Sequence, residues 1–229
     1  MKFIKKGWLW IPKTTRLYIK VIALLLFASS ISFGVGTFYP NFVIADKMQK
    51  DTEDQMIHEW KQFGFLQPSI EYTTNPEFII AVGRCVDFLN LSQPHNARVH
   101  KHIIVAMAVL ETGYGKSRFA TEGNNLFGIR TWDPKVPQLK PKALPDAEFG
   151  VKMYKTKCDS VKDMVAIINR HPAYEEFRAE RQLQINTGKL DLDKQIDLLH
   201  KWSTNPDYTK LVKIKGLQVA DILAKELAN

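Results

Sequence analysis

The segment that most limits how this 229-residue chain can fold is apolar and lies near the N-terminus. Residues 17–38 are rich in Ile, Leu, Val and Phe and are interrupted only by Lys20 and by small or hydroxyl residues. A helix that spans a bilayer needs about 20 predominantly apolar residues. The segment therefore predicts a transmembrane helix, with most of the chain on one side of the membrane.

The charge distribution predicts the orientation of that helix. The first 45 residues carry six Lys and Arg and no acidic residue, so the remainder has 26 basic and 24 acidic residues and a net charge of only +2 out of the total of +8. Flanking Lys and Arg favour a cytoplasmic N-terminus. Because the remainder is nearly neutral and shows no nucleic-acid-binding motif, we exclude nucleic acid as a partner.

A cleaved signal peptide is the alternative, with Val43-Ile44-Ala45 as its cleavage site. We favour an uncleaved anchor because this weak small-residue signal lies far from the strongest apolar stretch, residues 21–27. The resulting organisation is a basic cytoplasmic N-terminus (1–16), a signal anchor (17–38), a juxtamembrane connector (39–74) and a folded domain (75–229).

The domain after the connector shows mainly helical periodicity. Helices are predicted to start at Asn75-Pro76 and at Ser160, where Asp163 completes a capping box, and the last helix is predicted to break near Gly216. Between residues 130 and 150, four prolines exclude a long helix. We predict a mainly α domain with one short irregular hairpin or loop lobe.

Glu111 closes the apolar run 103–110 and is followed by Thr112-Gly113-Tyr114-Gly115. Apolar neighbours desolvate such a carboxylate, and the negative end of a helix disfavours its ionised form. Both effects raise its pKa, as a general acid at neutral pH requires. The alternative is a solvated glutamate that simply reaches out of a helix end.

The residues around Glu111 carry a family resemblance. The block from Leu110 to Gly115 is followed by Gly123-Asn124-Asn125-Leu126-Phe127-Gly128-Ile129 and, near the end, by Trp202-Ser203-Thr204 with Tyr208. Together they resemble the glucosaminidase family of peptidoglycan hydrolases, and most closely its Bax-type branch, over about residues 75–228. The resemblance implies a lysozyme-like, α-rich domain with a substrate groove. It also implies a protein of the bacterial inner membrane with its catalytic domain in the periplasm.

The resemblance and the chemistry together suggest the site residues. Glu111 is the expected general acid, and Tyr154 matches a tyrosine that the family places beside that acid. The second carboxylate of a two-carboxylate mechanism is expected from Asp133, Asp146 or Glu148, and Glu148 is our choice. Substrate assistance by the 2-acetamido group stays open. The expected substrate-binding residues are Tyr114, Asn125, Phe127 and Trp132, with core packing as the alternative for Phe127 and a turn for Asn125.

The cysteines and histidines limit the kinds of chemistry that the chain can carry out. Cys85 is predicted to be plain core, and its pairing with Cys158 is left open. The six histidines show no metal-ligand spacing, so we predict no metal and no cofactor. The predicted activity is hydrolysis of the β-1,4 bond of N-acetylglucosamine in peptidoglycan. The alternatives are a lytic transglycosylase and a non-catalytic glycan-binding module.

Overall fold

The computed structural model describes residues 12–38, 42–62 and 65–228, so most of the predicted cytoplasmic N-terminus lies outside the described residues. The chain divides into two compact units, Met1–Gln55 and Met56–Asn229. Helix α1 (Lys13–Phe38) contains the apolar segment Lys13–Phe33, which is long and apolar enough to cross a membrane. Helix α2 (Phe42–Gln62) occupies most of the predicted connector, which is therefore largely helical.

The second unit is mainly helical, as predicted, and carries one small sheet. Three 3₁₀ turns, at His95–Ala97, Pro172–Tyr174 and His200–Trp202, lie between its helices. In chain order the elements are α3 (Asn75–Ser92), α4 (Lys101–Thr112), α5 (Arg118–Gly123), β1 (Arg130–Thr131), β2 (Gln138–Leu139), β3 (Gly150–Lys152), α6 (Lys157–Arg170), α7 (Glu175–Thr187), α8 (Leu192–Asp197) and α9 (Tyr208–Leu227).

Helix α4 lies at the centre of the hydrophobic core. Every residue from Ile103 to Ala108 is 0% exposed, and Val109 is 2% exposed. Helices α3 and α9 pack against α4, and α6 packs on α3. A helix that is apolar on all sides is stable only when neighbours cover it completely. The packing of α3 and α9 leaves only the two ends of α4 in contact with solvent: Lys101 and His102 at its start, and Leu110 and Glu111 in its last turn.

Two predicted helix starts are displaced from their true caps. Helix α3 is capped by Thr74 rather than Asn75, with Glu77 completing the capping box. Helix α6 begins three residues before Ser160, with Thr156 as the cap and Asp159 as its partner. Each threonine offers a hydroxyl that satisfies a free backbone N–H of the first turn, which is why it can replace the predicted cap. Helix α9 also continues through Gly216 without a break.

The short strands form a three-stranded antiparallel sheet in the order β1-β3-β2. Arg130 pairs with Val151, and Leu139 pairs with the same residue from the other side. The Gln138 side chain lies close to Gly150, in the space that a Cβ at that position would occupy. The predicted irregular hairpin is thus a small sheet lobe that follows α5 and precedes α6.

Cys85 and Cys158 form a disulfide that joins α3 to α6. Cys85 is buried in the core as predicted, and so is Cys158, with 0% exposure for each. The prediction is wrong in treating Cys85 as a free core residue, because it is disulfide-bonded. The sequence separation of 73 residues concealed the proximity of the two side chains, which only the packing of α6 on α3 creates.

The disulfide is expected to stabilise the fold by about 2–4 kcal/mol, because it restricts the unfolded chain. Full-length protein in detergent should therefore unfold at a lower temperature after reduction, and the Cys85→Ala/Cys158→Ala variant should unfold at that same lower temperature with or without reductant. Thermal unfolding followed by circular dichroism measures this. An unchanged wild-type Tm after complete reduction would contradict the prediction.

Candidate active site

Glu111 lies in the last turn of α4, where the buried helix reaches the surface of the domain. The helix ends at Gly113, which adopts a left-handed conformation with φ of 57°, and its N–H donates to the Val109 carbonyl. Tyr114 and Gly115 follow, also with positive φ, at 63° and 74°. The buried Thr112 hydroxyl accepts a hydrogen bond from Gly115 N at 2.7 Å. This turn fixes the point at which the Glu111 side chain leaves the helix.

The Glu111 carboxyl is half-buried and polar contacts hold it in place. Trp202 Nε1 donates a hydrogen bond of 3.0 Å to Glu111 Oε1. The buried Tyr208 hydroxyl lies against the same carboxyl; it forms no hydrogen bond of regular geometry, although it is close enough to stabilise the ionised form. Burial raises the Glu111 pKa above its ordinary value, and Tyr208 and Trp202 only partly offset the rise. The carboxyl therefore retains its proton to a higher pH than a solvated glutamate.

Glu111 faces a cleft of about 670 Å³ between the helical core and the sheet lobe. Five aromatic side chains line it, together with Arg130 and the hydroxyl residues Ser203 and Thr204; the aromatic residues are Phe119, Phe127, Trp132, Phe149 and Trp202. Among the described residues that line the cleft, Glu111 and Arg130 are the only charged ones. Such a cleft suits a largely neutral, polyhydroxylated ligand with flat apolar faces.

Two of the predicted substrate-binding residues line this cleft. Trp132 is 64% exposed and lies near Phe149, with ring centroids 6.0 Å apart. Phe127 lines the same cleft but is only 1% exposed, so most of its ring belongs to the core. Trp132 therefore offers a free face to a ligand, whereas Phe127 contributes mainly to the floor.

Asn125 does not contact the cleft, and its prediction as a substrate-binding residue is corrected here. It is 0% exposed. Its Nδ2 donates to the carbonyls of Ile129 and Lys152, and its Oδ1 accepts from the N–H groups of Phe127 and Ile129. The amide has no bonding capacity left for an N-acetyl group. Its role is to hold the turn, as the alternative proposed.

Tyr114 also lies away from the cleft. Its hydroxyl donates to Gln218 Oε1 at 2.9 Å, on α9, and its ring packs edge-on against Phe78. The neighbouring Gly115 cannot carry a side chain, because a Cβ would overlap the Tyr72 hydroxyl and the Phe78 ring. Tyr114 and Gly115 thus pack against the core, and Tyr114 is absent from the residues that line the cleft, so its binding role stays a prediction.

Tyr154 is half-buried and is absent from the residues that line the cleft. Its hydroxyl donates to Asp163 Oδ2 at 2.6 Å, and Lys152 Nζ lies 2.8 Å from the same oxygen. Burial, followed by the Asp163 carboxylate, raises the Tyr154 pKa. The structure therefore does not bring Tyr154 together with Glu111, and Asp163 serves this cluster instead of capping α6.

The three candidate second carboxylates are all exposed, and none lines the cleft. Asp133 Oδ1 accepts a hydrogen bond from Lys135 N at 2.9 Å and so stabilises a turn. Glu148 precedes Phe149, whose ring does line the cleft. Glu148 is thus next in sequence to a residue that lines the cleft, but its own side chain is exposed to solvent.

Trp202 and Tyr208 were not among the predicted site residues, although both contact the acid. They lie 91 and 97 residues beyond Glu111, at the 3₁₀ turn His200–Trp202 and at the start of α9. The signal in the sequence was the run Trp202-Ser203-Thr204 with Tyr208, which carried part of the resemblance. The helical periodicity of the sequence alone could not predict that these two aromatic side chains contact Glu111.

The chain is similar to several known proteins. A glucosaminidase family model, described as mannosyl-glycoprotein endo-β-N-acetylglucosaminidase, matches residues 91–215, more than half of the chain. Protein bax of Escherichia coli (strain K12) is 30% identical over 103 residues, which are 44% of this chain and 36% of that protein. A C-terminally truncated glycoside hydrolase domain of FlgJ from Salmonella typhimurium covers 65% of this chain and 99% of its own, with 19% identity and a TM-score of 0.44.

The raised pKa of Glu111 predicts a pH-dependent stability. Below the ordinary value of 4.5, folded and unfolded chains both hold the proton; as the pH rises, the unfolded chain ionises first, so the folded state loses relative stability until the pH passes its own raised pKa. Glu111→Gln should therefore raise the Tm relative to wild type by more at about pH 8 than at about pH 4. Glu148→Gln, an exposed carboxylate, is the control. A difference in Tm that is independent of pH would contradict the prediction.

Asn125→Ala should destabilise the domain by about 2 kcal/mol or more, because the substitution leaves several buried backbone groups without partners. Urea unfolding of the full-length protein measures the change, with the exposed Asn96→Ala as the control. If Asn125→Ala kept wild-type stability and changed only the affinity for glycan, the assignment of Asn125 to the turn would be wrong.

Proposed function

Because the chain belongs to the glucosaminidase family of glycoside hydrolases, we propose that it hydrolyses the β-1,4 bond of N-acetylglucosamine in peptidoglycan strands. The observation that carries the proposal is the Glu111 carboxyl, desolvated and fixed by Trp202 at the floor of an aromatic cleft. Glu111 acts as the general acid. The chain spans 36% of the length of Protein bax, so its substrate is inferred from the family and from the site.

The contacts of Glu111 suit proton donation. Cleavage of a glycosidic bond requires an acid that still holds its proton near neutral pH. Burial raises the Glu111 pKa in that direction. Because the Trp202 N–H donates a hydrogen bond to Oε1, we place the acidic proton of Glu111 on the other oxygen, Oε2. After transfer, the Trp202 N–H and the Tyr208 hydroxyl stabilise the carboxylate that remains.

The walls of the cleft suit a pyranose chain. Sugar rings present flat C–H faces, which pack on aromatic rings, and hydroxyl groups at their edges. Trp132 and Phe149, in and next to the sheet lobe, provide such rings. Ser203 and Thr204, from a distant segment of the chain, provide hydroxyls. Trp132 is the best placed for stacking because it is the most exposed of the aromatic residues in the cleft.

We propose a substrate-assisted course, because Glu111 is the only carboxylate among the described residues that line the cleft. The 2-acetamido carbonyl oxygen attacks the anomeric carbon while Glu111 gives its proton to the leaving oxygen. The resulting oxazolinium ion is opened by water, and Glu111 takes back a proton from that water. This course needs no protein nucleophile. Glu148 and Tyr154, predicted as catalytic residues, then have no place in the chemical step.

Two separate features support a proposal for the location of the protein. The apolar part of α1 fits a membrane anchor or a signal sequence. A buried disulfide is typical of proteins exported to an oxidising compartment. We propose that residues 17–38 anchor the chain in the bacterial inner membrane, that residues 1–16 stay in the cytoplasm, and that residues 75–229 act in the periplasm after the connector 39–74.

Zymography tests the proposal. Full-length wild type in detergent should clear a gel that contains peptidoglycan, and Glu111→Gln should lose activity by at least about a hundredfold, because removal of a general acid typically costs that much. Glu148→Gln is the matched control and should retain most of the activity. A loss with Glu148→Gln as large as that with Glu111→Gln would restore the two-carboxylate mechanism.

Product analysis separates the proposed reaction from its alternatives. Hydrolysis leaves a reducing N-acetylglucosamine end, whereas a lytic transglycosylase leaves a 1,6-anhydromuramoyl end. If wild type cleared no peptidoglycan at any pH and Glu111→Gln bound strands equally well, the non-catalytic glycan-binding module would be the correct function.

A further inference from the structure

Arg130 is a cation in the cleft that the proposed chemistry does not use. It is the first residue of β1, and its pairing with Val151 of β3 fixes its position in the sheet lobe. It is exposed and lines the cleft that contains Glu111. Trp132, two residues later and also exposed, lines the same cleft. The cation and the indole therefore lie close together in the chain and line the same cleft.

The guanidinium of Arg130 is oriented but unpaired. Its central carbon lies 4.3 Å from the centroid of the Phe149 ring. Among the described residues it forms no ion pair and its side chain makes no hydrogen bond, in contrast to Arg118, which pairs with Glu122 at 2.9 Å. A cation–π contact does not occupy the N–H donors in hydrogen bonds, so the N–H groups of Arg130 are available for a ligand.

An arginine held in this way matches a carboxylate. The fork of N–H donors binds the two oxygens of a carboxylate at once, and such charge-assisted pairs are stronger than neutral hydrogen bonds. Neutral sugar hydroxyls can also accept from these donors, but without the opposite charge that a carboxylate supplies. The only other charged residue that lines the cleft among those described is Glu111, which has a raised pKa, so the cleft contains little fixed negative charge to repel an anionic ligand.

We propose that Arg130 binds a carboxylate on the muramic acid residue next to the bond that is cut, and so selects glycans that carry such groups. The inference rests on the proposed function. The carboxylate has two possible sources in peptidoglycan: the lactyl group, when the peptide has been removed, and the stem peptide, when it is present. Arg130 is a specificity residue in this proposal, since it takes no part in bond cleavage.

Three preparations of the same soluble strands test the proposal. The first carries stem peptides, the second has been trimmed by an amidase and has free lactyl carboxylates, and the third has had all its carboxyl groups converted to neutral methylamides. The kcat/KM of the full-length protein in detergent is measured on each. The variants are Arg130→Gln, Arg130→Lys and, as the control, Lys135→Gln, which removes one exposed cation of the same lobe from outside the cleft lining.

Arg130→Gln should lower kcat/KM on at least one carboxylate-bearing preparation by about tenfold more than on the neutral one, because a charge-assisted pair is lost only there. The preparation that shows the larger loss identifies the source of the carboxylate. Arg130→Lys should recover part of the loss, since it keeps the charge without the fork. Lys135→Gln should change all three values by less than about twofold.

Two results would overturn the inference in different ways. If wild type cuts the strands and Arg130→Gln affects the neutral and the carboxylate-bearing preparations equally, the selection of carboxylates is wrong and the proposed hydrolase stands. If wild type cuts none of the three preparations, the proposed function fails and the role of Arg130 fails with it.

Discussion

The burial of the central part of helix α4, residues 103–109, is the constraint on which the rest of this structure depends. Helices α3 and α9 pack against α4, so only the two ends of the helix reach the surface, and Glu111 lies at its C-terminal end. The carboxyl of Glu111 therefore emerges where apolar neighbours desolvate it and where the negative helix end is closest. The same packing brings Tyr208, at the start of α9, against the acid. One packing arrangement thus places the acid, raises its pKa and supplies a group that contacts it.

Two asparagines hold the sheet lobe, which forms one side of the cleft, in its position. Asn124 Nδ2 donates to the carbonyls of Tyr154 and Lys155, and Asn125 bonds to the backbone on both sides of the sheet lobe. These side chains join the turn after α5 to β3 and to the residue before β1, next to Arg130, which lines the cleft with Glu111. Both asparagines of the family block therefore bind backbone groups in this chain, although the amide of Asn125 had suggested contact with an N-acetyl group.

Local features of the fold could be predicted from the sequence because they depend on neighbours within one helical turn. The mainly helical domain, the apolar N-terminal helix and the proline-rich lobe all agree with the structure. The caps of α3 and α6 were displaced by one to four residues, because several hydroxyl residues compete for the same free N–H groups. In the site, Glu111, Phe127 and Trp132 do line one cleft, whereas Tyr114, Asn125 and Tyr154 do not.

By itself the sequence determined the carboxylate, the apolar helix that carries it and the family to which the chain belongs, since these depend on residue type and short-range spacing. The tertiary structure alone decided which side chains share the site. Trp202, Tyr208 and Arg130 meet Glu111 or its cleft across long sequence separations. Whether an aromatic ring lines the cleft or packs in the core depends on which helix covers it. That depends on packing between distant segments, and no local pattern encodes it.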